Sequence, residues 1–154
     1  MNLTNEHLAK VQLFQKLNDA GLSKLTRSGK LIPASEGTII ISESSQDNMI
    51  YAILQGRVDI YVASPGSLLF DKAEGKVVAT LKAGDTVGEM ALVGQRRRSA
   101  TVKAKDDVLL ACWDPLALES LFEEDHELGY RVLKQLAHSF GERLSQTNMI
   151  ARNY

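Results

Sequence analysis

The sequence predicts a mainly β fold, a sandwich or barrel of short strands, entered and closed by helices. Three observations predict it. Between about residues 30 and 113, short β-rich runs alternate with Gly, Pro, Ser and Asp, the punctuation of antiparallel sandwiches and barrels. The segments on either side carry helix caps and three- or four-residue apolar spacing instead. Finally, 154 residues with 44% apolar and 24% charged side chains can bury one core without metal or disulfide staples. A single domain, 1–154, is the expectation, with no long linker, repeat or low-complexity segment.

The helical entry spans about 4–29. Thr4 or Asn5 can cap a short helix carrying Leu8 and Val11, and Asn18 or Asp19 can cap another carrying Leu22 and Leu25. Ser28-Gly29 ends it. The β-rich zone, about 30–113, breaks into runs at 30–32, 38–42, 49–55, 57–63, 68–70, 76–82, 100–105 and 108–113. Alternation in Arg57-Val58-Asp59-Ile60-Tyr61-Val62 puts Val58, Ile60 and Val62 on one face. Ile39-Ile40-Ile41 is apolar throughout and reads as buried on both faces. Cys112, in the apolar run Val108-Leu109-Leu110-Ala111-Cys112-Trp113, reads as a core thiol. The C-terminal helices span about 114–148. Asp114-Pro115 is an N-cap followed by a proline at the first helical position, opening a helix with Leu116, Leu118, Leu121 and Phe122. Asp125 can cap a longer helix whose Leu128, Val132, Leu133, Leu136, Phe140 and Leu144 form a stripe that must pack on something.

One segment carries chemistry. Gly88-Glu89-Met90-Ala91-Leu92 is followed by Arg98-Ser99-Ala100-Thr101-Val102. The N–H groups of an opening helix lack partners within it, and the dipole there favours an anion. Gly88 lets backbone approach a ligand closely. The Arg98 guanidinium offers two parallel donors to two phosphate oxygens. Glu89 repels phosphate, but its carboxylate can accept a hydrogen bond from a sugar hydroxyl. Together they suit a sugar phosphate whose ribose hydroxyl is read along with its charge. The opposing reading is an internal Glu89–Arg98 ion pair, of little net stability because desolvation offsets the attraction.

The stretch GEMALVGQRRRSATV resembles the phosphate-binding cassette of cyclic-nucleotide-binding domains, the module shared by catabolite-activator-type regulators, cyclic-nucleotide-dependent kinases and cyclic-nucleotide-gated channels. Gly88, Glu89, Ala91, Leu92, Arg98, Ala100 and Thr101 fall in register, while Arg97 stands where many members have proline. Leu13–Leu17 with the Leu22/Leu25 helix resembles the family's helical entry. Asn48–Tyr61 resembles its central hairpin, and Leu81-Lys82-Ala83-Gly84-Asp85 its turn before the cassette. The resemblance covers roughly residues 10–145.

It implies a β jelly roll (double-stranded β-helix) of about eight strands, and reversible binding of cAMP or cGMP. The phosphate would dock on the amides of Met90, Ala91 and Leu92 and on Arg98, with Glu89 on the ribose hydroxyl. Ser99 permits either purine. Thr101 is a ligand contact or simply a β-branched strand residue. Arg143 falls near where relatives place a polar contact to the purine edge; Ser145-Gln146-Thr147-Asn148 and Tyr154 read as a solvent-facing helix end. Arg96 and Arg97 read as a solvated face, or as residues steering an anion inward. In the family the last helix crosses the pocket and often pairs with its own copy.

A net charge of −1 argues against nucleic-acid or membrane-surface binding, and no run of 18 apolar residues or signal-peptide pattern is present, so a cytoplasmic protein is expected. His7, His126 and His138 are scattered over helices, which disfavours a metal site of the cupin-enzyme type. No nucleophile elbow, cysteine–histidine motif or P-loop lysine occurs. No catalytic residues, metal or cofactor are expected. The few residues after the last helix leave no room for a DNA-reading module, so output through a protein partner or a homodimer, on the C-terminal helix, is expected. The competing expectation is a scaffold that keeps the fold and binds no nucleotide.

Overall fold

The computed structural model describes residues 1–42, 48–62, 76–94 and 100–152, with 146–152 described by backbone alone. The expected strand at 68–70 lies outside these residues, as do Arg96, Arg97, Arg98, Ser99 and Tyr154.

Thr4 caps α1 (Asn5–Ala9): the His7 N–H donates to the Thr4 hydroxyl at 3.3 Å, and the Thr4 N–H donates back to His7 Nδ1 at 3.1 Å. A 3-10 turn at Gln12–Phe14 follows, then α2 (Asp19–Ser28), whose cap is Asn18 accepting from the Gly21 N–H at 2.9 Å. Strands β1 (Lys30–Ala34), β2 (Ile39–Ile41), β3 (Ile50–Gln55), β4 (Arg57–Val62), β5 (Lys76–Lys82) and β6 (Thr86–Val87) lead to a second 3-10 turn, Glu89–Val93. After it come β7 (Thr101–Ala104), β8 (Val108–Trp113), α3 (Pro115–Glu124) and α4 (His126–Arg152). Asp114 caps α3 by accepting from the Leu116 N–H at 3.0 Å, and Asp125 accepts from the Leu128 N–H at 3.1 Å at the start of α4.

Among the described residues the eight strands form two antiparallel four-stranded sheets, ordered β1-β8-β3-β6 and β2-β7-β4-β5. This is the expected jelly roll with flanking helices. Side-chain parity shows how the layers stack. Tyr51 and Ile53 of β3, with Val108, Leu110 and Cys112 of β8, face the second sheet, where Val58, Val102 and Ala104 meet them. Ile50, Ala52, Ala111 and Trp113 point the other way, into a core shared with Leu8, Val11, Phe14, Leu22 and Leu25 and with the C-terminal helices. The first sheet is therefore a middle layer, buried on both faces by helices and by the second sheet. Trp113 locks that junction: its ring meets Phe14 edge-on at 5.4 Å, and its Nε1–H donates to the Leu25 carbonyl at 2.9 Å.

Two expectations are corrected here, for β2 and for α4. Ile39-Ile40-Ile41 is not doubly buried; Ile39 is 46% exposed and only Ile41 is buried. β2 is an edge strand, and a bulge between the two isoleucines pairs Ile39 with exposed Lys103 but Ile41 with buried Val102. In β4 the expected face is seen, with Val58 buried and Ile60 packed against the same core, while Val62, at the strand's end, is exposed. On α4, Leu128, Val132 and Leu136 are buried and Phe140 half-buried, but Leu133 and Leu144 face outward. The three buried side chains contribute about 1.5–3 kcal/mol each, enough to hold α4 on the roll up to Phe140.

Candidate functional site

The site begins at a turn that two glycines make possible. β6 pairs with β3 through Tyr51 and Val87, and the chain then reverses at Gly88, whose φ of 79° lies in the left-handed region. Any side chain there would strain the backbone. The 3-10 turn Glu89–Val93 follows and ends on Gly94 at φ 90°, again left-handed. Between these glycines the side chains divide sharply. Glu89 and Ala91 are buried, Leu92 is half-buried, and Met90 and Val93 are exposed. Ala91 and Leu92 join the core on the helical side, in the same cluster as Leu118 of α3 and Leu128, Val132 and Leu136 of α4. The turn thus packs against α3 and shares its core with α4, so a shift in the helices is felt by the turn.

The backbone of the turn is partly engaged already. The Ala91 N–H donates to the Gly88 carbonyl at 3.2 Å. Of the three amides expected to meet a phosphate, that of Ala91 is therefore occupied by the turn itself. The preceding loop is equally fixed: the Gly84 N–H donates to the Ile53 carbonyl at 2.8 Å and the Ile53 N–H to the Asp85 carbonyl at 2.9 Å. The Gln12 N–H donates to the Gly84 carbonyl at 3.0 Å, tying the N-terminal 3-10 turn to the same loop.

Glu89 is the one buried acid of the described residues, its side chain 8% exposed. Arg143 of α4 brings Nη1 to 3.6 Å from Glu89 Oε1, and its guanidinium lies over the Phe140 ring with Cζ 6.0 Å from the centroid. A polar cavity of about 70 Å³ opens beside the carboxylate, lined by Gln12, Asp85, Thr86, Ser139 and Arg143 among others. It has room for water or for the edge of a polar group, well short of the roughly 300–1,000 Å³ of a small-molecule site. Thr101 is buried in β7, opposite Tyr61 of β4.

The structure therefore brings together Gly88, Glu89, Met90, Ala91, Leu92 and Arg143, and sets Thr101 in the neighbouring sheet. The sequence reading of Arg98 and Ser99 concerns residues outside those described. What sequence reasoning missed is the direction of Arg143, which meets Glu89, and the participation of Thr86 and Ser139. A helical wheel carried the signal: Gln135, Ser139 and Glu142 lie three or four residues apart on one flank of α4, and all border the cavity with Arg143. Among the described residues no group of three or more His, Cys, Asp or Glu could hold a metal ion, and no helix is long and apolar enough to cross a membrane.

Comparison with known proteins fits this geometry. The sequence matches the cyclic nucleotide-binding domain family over residues 32–125, which takes in every strand after β1, both glycines of the turn and α3. The chain belongs to that family. Among curated proteins, the Pycsar effector protein BcPycTIR of Burkholderia cepacia is 35% identical over 134 residues, covering 84% of this chain and 40% of the relative. The Pycsar effector protein XpPycTIR of Xanthomonas perforans is 29% identical over 127 residues, covering 81% of this chain and 37% of the relative. The chain thus spans about two fifths of the length of these relatives. Among solved structures, a cyclic nucleotide-binding domain from Methylobacillus flagellatus superposes with a TM-score of 0.78 at 22% identity, covering 97% of this chain and 81% of that one. At that identity the likeness establishes a shared fold.

Proposed function

We propose that this domain is a sensor that binds a cyclic nucleotide, cAMP or cGMP, at the cassette of residues 88–101, and signals through a protein partner or a homodimer. The observation that carries this reading is Glu89. A carboxylate held almost out of solvent just after a left-handed glycine, on a turn whose apolar side chains share a core with α4, is poised to accept a ribose hydroxyl where water competes little. In this reading Arg98 and the amides of Met90 and Leu92 take the phosphate, and Ser99 and Thr101 border it. The Ala91 amide contributes through the turn it closes. Residues 1–154 act as one domain, in the cytoplasm, binding their ligand without transforming it.

The output surface is on α4. Tyr130, Leu133, Ala137, Gly141 and Leu144 are exposed and recur at three- and four-residue spacing, a narrow seam suited to a second helix. A ligand can shift such a sensor only by its difference in affinity for two arrangements of α4.

Calorimetry against cAMP, cGMP, cCMP and cUMP tests the binding reading. One of the purine nucleotides should bind tightest, and Arg98→Ala should weaken it by about 2–5 kcal/mol, the cost of removing one partner of a buried charge contact. No heat with any of them overturns the reading. The Arg143–Glu89 contact favours a second reading, a scaffold whose buried acid is satisfied by its own helix. Thermal unfolding separates the two: a binding domain gains about 2.7 kcal/mol at ligand a hundred-fold above its Kd, and a scaffold gains nothing.

A further inference from the structure

We infer that Gly141 is a joint dividing α4 into two units: 126–140, seated on the roll, and 141–152, which changes direction without unseating the first. The joint is argued from the helix itself; its use in sensing rests on the reading above.

Four observations carry it. First, α4 is one continuous helix, His126–Arg152, yet its surroundings change within it. Leu128, Val132 and Leu136 are buried at four-residue intervals and Phe140 continues the row half-buried; the next position, Leu144, is 63% exposed, and 141–145 are exposed throughout. Second, packing does not call for a glycine at this place. An added Cβ at Gly141 would meet no described atom within 4 Å, whereas at Gly129, in the same helix, it would come within 2.8 Å of Phe122 Cβ. Gly129 is there for close approach. Gly141 is not, and glycine is the poorest helix former after proline, so α4 is weakest where its row of buried side chains ends. Third, the two sides of the glycine have different partners. Leu128, Val132 and Leu136 belong to the core that holds Leu8, Leu25, Ala91 and Trp113, while Arg143, two residues past the glycine, brings Nη1 to 3.6 Å from Glu89 Oε1 on the cassette turn. Fourth, the side-chain pair that spans the glycine, His138 Nε2 and Glu142 Oε1 at 3.2 Å, is 66% and 67% exposed, and a pair so open to water stiffens a helix only weakly.

The consequence is a division of labour within one helix. A helix of uniform strength would have to leave the roll as a whole, exposing Leu128, Val132 and Leu136 to water. With the joint at Gly141 those side chains stay buried while the second unit takes up a new direction. The first unit holds the domain together, and the second is free to report.

The test measures distances between spin labels on the full chain. Cys112 is buried, so cysteines placed at exposed sites take the label selectively. Lys103→Cys on β7 serves as the fixed point, paired in one sample with Lys134→Cys and in another with Asn148→Cys, one on each side of the glycine. Without nucleotide, the 103–148 distance distribution should be at least about twice as broad as the 103–134 one. Gly141→Ala should narrow the first toward the second and leave the second unchanged. Two distributions of equal breadth, or no narrowing in the variant, overturn the joint. The tightest-binding of cAMP, cGMP, cCMP and cUMP should then shift the 103–148 distance and leave 103–134 in place, and Gly141→Ala should reduce that shift. If both distances shift together, α4 moves as one body and the inference fails. Should wild type bind none of these nucleotides, the sensor reading fails, while the breadths measured without ligand still decide the joint.

Discussion

At the residue scale, local chemistry was legible and long-range pairing was not. Thr4, Asn18, Asp114 and Asp125 all cap the helices they introduce, because a cap depends only on a side chain and an amide two or three residues away. Asp125 also accepts a 2.6 Å bond from Lys24 Nζ across 101 residues of sequence, which no local pattern announces. The Lys24 side-chain bond, and then the Leu128 N–H, hold the Asp125 carboxyl below its ordinary value. A carboxyl lowered on folding stabilises the native state above its unfolded pKa, about 3.9, and that contribution is lost as pH falls through the folded value. Asp125→Asn should therefore lower the Tm at pH 7, with the gap to wild type closing as the pH is taken below about 4. A gap constant from pH 7 to pH 3 in thermal melts would show that the charge is irrelevant. Glu89 was legible as the acid that opens the turn after Gly88. Its pairing with Arg143 was not, since that depends on how α4 is rotated about its axis when it packs.

At the element scale, apolar runs identified strands but not their layer. Ile39-Ile40-Ile41 and the run ending at Trp113 look alike as sequence, yet one is an edge strand and the other lies in the middle sheet. Burial on both faces is decided by what packs above and below, which a single run does not encode. β6, only two residues long, escaped notice because no periodicity can develop in Thr86-Val87. Two glycines in α4 make opposite predictions. At Gly129 an added Cβ would lie 2.8 Å from Phe122 Cβ, so Gly129→Ala should force α3 and α4 apart and cost about 1–3 kcal/mol in denaturant unfolding. At Gly141 an added Cβ meets nothing within 4 Å, and Gly141→Ala should stabilise by up to about 1 kcal/mol through helix propensity alone. If the two substitutions shift stability in the same direction, the crossing of α3 over α4 is misplaced.

At the scale of the whole molecule, the fold came through because four blocks of sequence stood in the right order, each supported by its own turn chemistry. The exposed seam on α4 predicts association. Sedimentation should show a dimer whose population depends on nucleotide, and Leu144→Glu should shift it toward monomer while leaving nucleotide affinity within about two-fold, since Leu144 is exposed and outside the cassette. A strict monomer under all conditions would move the output to a different partner protein. That the chain spans about two fifths of its Pycsar relatives is compatible with either arrangement.

The stretch of α4 beyond Phe140 has a mechanical side as well. At 1.5 Å of rise per residue, 141–152 is a rod about 18 Å long. It is rooted at a glycine, the residue most willing to bend within a helix. A tilt of about 20° at that root carries its tip about 6 Å, close to the pitch of one helical turn. Sub-ångström rearrangement around a single sugar oxygen would then be magnified into a stroke large enough to move a neighbour by one notch.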